Sequence, residues 1–443
     1  IFLHSIWRKR MDIIAIDCGA SFIKATRFIN GKIFRSIRQK TPLDTDADKL
    51  EKSLSMIKAM IEELSNDVSE IAIGFSNEMH GFVLANENGV PVMPYISWQK
   101  ELGNLPEIAE KLDQQQIAST GMPLKLGLPS TNLYYLKKDI PIEKYERLYF
   151  YTLGDFYIRT LSGCQPAVHE TNAAATGLYD LFAKKWNVSL IRSILDMEKS
   201  IVFPEIYAGQ DPIVLEKDKI TYYFFPALGD QQAALLGSHL IGEGELSLNF
   251  GTGAQMSVLT KDIVYSGRFQ IRPYFNGYYI KTIPHIPSGR VLNIYFNFVK
   301  EIVNRFVTVE DEELWNYINS QAEQNQFPNL EIDMSFFSNP ITDHRSGAIE
   351  NISENSFRIG NLFDSVYTQI AENVEIIYKR LGQPFVKSIL ISGGVLNKNT
   401  YLRTKVLSKF ENIQTVYLVE NETAEGIKEF IDLTYRGLEN ESI

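Results

Sequence analysis

The sequence has only two cysteines, Cys18 and Cys164, in 443 residues. That excludes a disulfide framework and suits a reducing, cytoplasmic setting. No apolar run approaches the roughly 20 residues that a transmembrane helix needs, so no membrane partner is expected. Basic charge is also scarce: 44 Lys and Arg face 54 Asp and Glu, a net charge of -10. Phosphate backbones attract basic surfaces, so nucleic acid is excluded as the main partner, although a local basic pocket for a small phosphate is not. The six histidines show no ligand spacing, and His169 heads "HETNA" rather than HExxH, so no zinc site is expected. A GxSxG elbow, a Walker A loop and a GxGxxG turn are all missing.

What is present is an ordinary globular composition, 44% hydrophobic and 22% charged, on a chain too long for one core. Two domains are expected. The opening "IFLHSIWRKR" has its basic cluster after its apolar residues, the reverse of a signal peptide. Residues 1–10 read as a leader outside the fold, with a short amphipathic arm as the alternative.

From Met11 onward the chain is β-rich. "DIIAIDCGASFIKATRFINGKIF" is an apolar run, a small-residue turn at Gly19-Ala20-Ser21, a second run, and then Asn30-Gly31. An Asn-Gly between two runs predicts a hairpin. Leu50, Leu54, Ile57, Met60, Ile61 and Leu64 recur at helical steps, and "EIAIGFS" then reads as a buried strand. The order strand, strand, helix, strand predicts an α/β fold. The stretch Leu105 to Ser200 reads as an elaboration of this first domain, with a capped helix in "LGDFYIRTLSG" ending at Gly163.

A second β-rich start follows at "GELSLNFGTGAQMSVLT". Its turn, Gly251-Thr252-Gly253, repeats the first one, with Asn249 in the position of Asp17. Two such turns about half a chain apart suggest duplicated domains sharing a cleft. Phosphate needs many N–H donors at close range, and only small residues let the backbone approach that closely. Taken singly, each turn is an ordinary β-turn; as a symmetric pair they point to phosphate. Late in the chain "VKSILISGGVLNKN" runs a buried strand into a Gly-Gly turn and a helix, which is a ready anion or nucleotide site.

Individual side chains allow two readings each. Asp17 either binds Mg²⁺ through water or bonds its own turn. Asp230, in "FPALGDQQAALLG", is either a helix cap or a general base that accepts a hydroxyl proton during phosphoryl transfer. Glu78, His80 and Trp98 can supply the fixed polar groups and apolar platform of a sugar site; a lone His is also a common structural residue.

These segments resemble, in order, the motifs of the FGGY carbohydrate kinases, within the actin-like ATPase superfamily. "DCGASFIK" is similar to the first phosphate motif and "GFSNEMHG" to the substrate segment. "TNAAATGLYDLFAKKWN" is similar to the Asn-Ala segment and "GDQQAALLG" to the catalytic aspartate motif. "NFGTGAQ" is similar to the second phosphate motif, "SGGVLNKN" to the adenosine motif and "ENETAEGIKEF", more distantly, to the closing segment. "RPYFNGYYI" looks closest to sedoheptulokinase-type members, with xylulokinase-type members nearby.

The resemblance implies two actin-like (ribonuclease H-like) α/β domains, over 11–235 and 236–443, with ATP and Mg²⁺ in the cleft between them. It implies transfer of the ATP γ-phosphoryl to a hydroxyl of a ketose or related sugar, with a homodimer compatible. Asp230 becomes the base. Glu78, Met79, His80 and Trp98, with Asp230, line the sugar site. Gly19, Ala20, Ser21, Lys24, Gly251, Thr252, Gly253, Gly393, Gly394 and Asn397 hold ATP, and Asp17 lies near Mg²⁺. The chain departs from the family pattern at Glu78, where Gln is usual, and at Ala20-Ser21, where Thr-Thr is usual. It departs again after Trp98, where Gln99-Lys100-Glu101-Leu102 replaces a segment with an aspartate and an arginine. Those departures keep open a non-catalytic sugar or nucleotide sensor, and a different actin-like ATPase.

Overall fold

The computed structural model describes residues 11–43, 48–195, 201–342 and 344–440. The expected leader therefore lies outside the described residues. The first sheet begins with β1 (Ile13–Cys18), β2 (Phe22–Ile29) and β3 (Lys32–Lys40), joined as antiparallel hairpins. At the β2–β3 turn Asn30 and Gly31 both have positive φ, 50° and 77°, the conformation that matches the strand twist. Helix α1 (Lys49–Ser65) buries Ile57, Met60, Ile61 and Leu64 and returns the chain to β4 (Glu70–Asn77), parallel to β1. The edge is completed by β5 (Ile213–Lys217) and β6 (Ile220–Phe224), giving the order β5-β6-β4-β1-β2-β3. β1 and β4 are apolar on both faces because both faces are covered.

Between β4 and β5 the chain builds the expected elaboration. It has its own apolar cluster, including Phe82, Leu133, Phe150 and Leu178. Helix α2 (Leu153–Ser162) ends at Gly163, whose φ of 74° closes the helix in the left-handed region as its sequence predicts.

The chain passes through α3 (Asp230–Gly237) into a second sheet: β7 (Glu245–Phe250), β8 (Ala254–Thr260), β9 (Gln270–Pro273), β10 (Tyr279–Ile286), β11 (Ser388–Ser392) and β12 (Thr415–Leu418). β7–β8 and β8–β10 are antiparallel, whereas β7–β11 and β11–β12 are parallel. The first sheet follows the same path: hairpin, third antiparallel strand, then two parallel strands on the far side. The duplication suggested by the paired turns is thus a duplication of topology. Helices α4 (Gly289–Asn304), α5 (Ile359–Arg380) and α6 (Gly394–Lys398) pack on the second sheet around Phe363, Ile370 and Ile391.

The last helix, α7 (Glu422–Asn440), crosses α3. A Cβ on Gly237 would fall 1.8 Å from the Glu422 carbonyl oxygen, and one on Gly426 would fall 1.8 Å from the Ala233 carbonyl oxygen. The two backbones therefore touch, and only glycine permits it. The pair sits in one apolar cluster with Ile13, Ala15 and Ala72 of the first sheet and Leu259, Ile280 and Leu390 of the second. Both helices start at the mouth of the space between the sheets.

Candidate active site

A cavity of about 460 Å³ opens between the sheets, and both glycine turns reach it, through Gly19 and Ala20 on one side and Gly253 and Ala254 on the other. The two halves meet there in matching registers. Asp17 lies opposite Lys24 and beside Ser76, and Asn249 lies opposite Gln255 and beside Ser392. Asp17, Asn249, Gln255 and Ser392 all line the cavity. The Ser76 hydroxyl donates to Asp17 Oδ1 at 2.7 Å. Burial pushes the Asp17 carboxyl up to about 6; Ser76 and Lys24 oppose the rise and Glu422 adds to it.

Asp230 faces the same space from the start of α3. It is not the helix cap. Leu228 and Gly229 still pair with Ser76 and Asn77 of β4, so the backbone stays extended through Gly229 and the helix begins one residue later. Asp230 is the first helical residue, and its Oδ1 accepts from the Gln231 amide at 2.7 Å. A carboxylate in a first helical turn also complements the helix dipole. Burial, and then the charge of Asp17, push its carboxyl up to about 7, against the Gln231 amide; Glu78 also raises it and Arg272 lowers it.

The segment "TNAA" explains how this aspartate is held. Asn172 Nδ2 donates to Asn77 Oδ1 at 3.0 Å and to the Ala227 carbonyl at 2.9 Å. The Gly229 amide donates to Thr171 Oγ1 at 3.1 Å. The strand that delivers Asp230 is thereby tied to β4 and to the elaboration at once.

Glu78, Met79, His80 and Trp98 form the next stretch of wall. Glu78 is buried and accepts from Tyr95 Oη (3.0 Å), Lys49 Nζ (3.3 Å) and Trp98 Nε1 (3.1 Å). Its charge is met by Lys49, and its second oxygen holds the indole at the rim. His80 sits in the left-handed region, with φ 68°. Its Nδ1 is 2.5 Å from the Ala175 carbonyl oxygen, so Nδ1–H donates there and Nε2 is left to accept from Arg272 Nη2 at 3.4 Å. Burial holds the imidazole well below its ordinary value, and Lys125 and Arg272 act in the same direction.

The remaining expected nucleotide residues stand around the cavity rather than on its wall. Lys24 Nζ donates to Asn421 Oδ1 at 2.6 Å. The first turn is closed by the Gly19 amide donating to the Phe22 carbonyl at 3.1 Å, and the Ser21 carbonyl accepts from the Thr41 amide just after β3. Gly251 and Thr252 are fastened to the start of α4, their carbonyls accepting from the amides of Gly289 (3.2 Å) and Arg290 (2.7 Å). Gly393 has φ 82°, and a Cβ there would lie 2.5 Å from the Phe250 carbonyl carbon, so it lets the Gly-Gly turn approach the second phosphate turn. Gly394 opens α6, and Asn397 Nδ2 donates to the Val419 carbonyl while its buried Oδ1 has no partner among the described residues.

Four ionisable residues of the wall have no counterpart among the expected site residues: Lys125, Arg272, His285 and Glu422. Arg272 heads "RPYFNGYYI", where the resemblance drew notice to the segment but assigned it no role. Lys125 and His285 lie in segments without a recognisable motif, so no sequence signal was available for them.

A profile described as "FGGY family of carbohydrate kinases, N-terminal domain" matches residues 12–237, just over half the chain. The chain belongs to the FGGY family of carbohydrate kinases. A glycerol kinase from Mycoplasma genitalium is 28% identical over 278 residues, 55% of this chain and 53% of the relative. The chain thus spans about half the length of the curated relatives it matches. The fold extends further than the detectable identity. The structure of a ligand-bound xylulose kinase from Lactobacillus acidophilus superposes with a TM-score of 0.79 at 19% identity, covering 96% of this chain and 90% of that one. A Plasmodium falciparum glycerol kinase with ADP gives a TM-score of 0.76 at 17% identity, covering 96% and 90%. The two mixed-sheet α/β halves are those of an FGGY kinase.

Proposed function

We propose that the protein transfers the γ-phosphoryl group of ATP to a hydroxyl of a sugar or polyol, with Asp230 as the base. The observation that carries this reading is the placement of Asp230. It stands on the first turn of a helix, on the wall of a cleft entered by two matched glycine turns, with its carboxyl poised near neutrality. A base of that strength holds a proton taken from a hydroxyl without being locked in either state. The acceptor oxygen attacks the γ-phosphorus, the bond from that phosphorus to the β-bridging oxygen breaks, and the hydroxyl proton passes to Asp230. The products are a phosphate monoester and ADP.

The two turns cradle the phosphates with the backbone amides of Ala20 and Gly253, while the Gly19 amide closes its own turn on the Phe22 carbonyl. Gly393, Gly394 and the unpartnered Asn397 Oδ1 serve the adenosine end. The acceptor lies against Met79, His80 and Trp98, with Glu78 fixing the wall. On this reading the segment 11–235 supplies most of the acceptor end and 236–443 most of the adenosine end. The donor set suits Mg²⁺: among the described residues no group of three acidic, His or Cys side chains forms a closed cage, and Mg²⁺ prefers one or two carboxylates plus phosphate and water. Asp17 and Glu422 are the carboxylates positioned to hold it through water. When bound, the ion neutralises phosphate charge.

The test is Asp230→Asn. We expect loss of acceptor-dependent ADP release with ATP binding retained. Near-normal turnover would rule out the base. ADP release that no acceptor stimulates would point instead to an ATPase, and binding without turnover in the wild type to a sensor.

A further inference from the structure

The charges in the cleft are not evenly spread. Asp17 and Glu422 lie with the phosphate turns, while Lys125 and Arg272 lie with the acceptor wall. Arg272 is buried, 3% exposed, and touches Met79 Sδ and His80 Nε2, the acceptor-wall segment, besides Gln270 Oε1. Lys125 is carried by the loop 121–127, which docks on the same strand as Arg272. The Ile271 amide donates to the Gly121 carbonyl at 2.7 Å, and a Cβ on Gly127 would lie 2.4 Å from the Trp98 carbonyl oxygen. The loop is therefore clamped between β9 and Trp98, and both cations belong to the acceptor end.

Among the described residues neither cation has a carboxylate within ion-pair distance. Glu78 is matched by Lys49, and Glu101, which acts on Lys125 through space, is exposed and screened. A buried guanidinium, Arg272, and a half-buried ammonium, Lys125, thus face one buried negative group, Asp230. Leaving buried charge unmatched is costly, and a ligand with one negative charge would balance it.

We infer that the acceptor is a polyhydroxy carboxylate, an aldonate-type acid, its carboxylate held by Arg272 and Lys125 and one hydroxyl presented to Asp230. This rests on the kinase reading above. The planar guanidinium fork matches a carboxylate edge, and an ammonium adds a point charge. A neutral ketose would leave one of the two positive charges unmatched; a sugar phosphate, as a dianion, would overfill the balance. The transfer is the one already written, with the carboxylate unchanged in the product.

The experiment is an ADP-release screen with MgATP. It compares neutral polyols and ketoses, aldonates of the same chain lengths, and sugar phosphates. We expect kcat/KM for the best aldonate to exceed that of its neutral match at least about tenfold. Arg272→Met and Lys125→Met should cut the ratio of aldonate to neutral kcat/KM about tenfold or more, a ratio in which any shift of the Asp230 carboxyl cancels. A neutral acceptor or a sugar phosphate as the best substrate overturns the inference and leaves the kinase reading intact. If no acceptor releases ADP, the kinase reading fails, and titration calorimetry with the aldonates then decides the anion site. Binding lost in Lys125→Met supports it; no binding, or binding indifferent to that change, overturns it. Lys125 is on a partly exposed loop, so this variant serves even where Arg272→Met does not fold.

Discussion

Arg272 Nη2 lies 3.4 Å from His80 Nε2, so a residue of the second sheet reaches the segment that follows the fourth strand of the first. One guanidinium thereby joins the Met79–His80 stretch of the cleft wall to the electrostatics of Asp230, because it also acts to lower that carboxyl.

The first prediction concerns pH. With the Asp230 carboxyl at about 7, kcat/KM should fall roughly tenfold per unit on the acid side of that value. An ordinary exposed carboxylate would place the limb near 4. Arg272→Met removes a charge that lowers Asp230, so the limb should move to higher pH. A limb near 4, or one that moves down in the variant, contradicts the assignment.

The second concerns stability. Asp230 has a folded-state pKa above its unfolded value, so its ionisation costs folding free energy at neutral and alkaline pH. Its favourable contribution is complete below the unfolded value near 4 and is lost as pH rises through about 7. Asp230→Asn should therefore be more stable than wild type at pH 8, by about 1–3 kcal/mol, with the gain vanishing toward pH 4. Denaturant titrations at the two pH values measure it.

The third concerns the helix crossing. Gly426→Ala places a methyl 1.8 Å from the Ala233 carbonyl oxygen, where only backbone movement can make room. The loss should be about 2 kcal/mol or more, outweighing the better helix propensity of alanine. Thermal unfolding of the variant reads this directly, and an unchanged midpoint would mean that α3 and α7 do not touch as described.

The fourth separates the two ends of the cleft. Gly393→Ala puts a side chain at φ 82° and against Phe250, so the second phosphate turn must shift. KM for ATP should rise about tenfold or more with a smaller change for the acceptor. Asn172→Ala, which releases the strand before Asp230, should instead lower kcat with ATP affinity kept, at a cost of about 1–3 kcal/mol in stability. Steady-state kinetics of the two variants distinguish the ends, and identical profiles would argue against the division.

Much of the frame was legible in the chain. The Asn30-Gly31 hairpin, the helix after Lys49, the cap at Gly163 and the paired turns all follow from local chemistry and appear as expected. The cap reading of Asp230 puts the start of α3 one residue too late: the helix begins at Asp230 with Gly229 as its cap, because the pairing of Gly229 with Asn77, a tertiary contact, ends the extended backbone there. Glu78 read as a sugar ligand that departs from the usual glutamine. Its three donors, Lys49, Tyr95 and Trp98, come from segments with no motif between them.

The family resemblance singled out the aspartate on the cleft wall, and the sequence by itself determined the strands, the turns and their duplication. These depend on periodicity and on backbone freedom at single positions, which neighbours along the chain decide. Only the tertiary structure brought Lys125 and Arg272 to the cleft wall, matched Glu78 with Lys49 and raised the Asp230 carboxyl. Charge energies depend on burial and on distances of a few ångströms between residues far apart in the chain, and those exist only once the two sheets, α3 and α7 have packed.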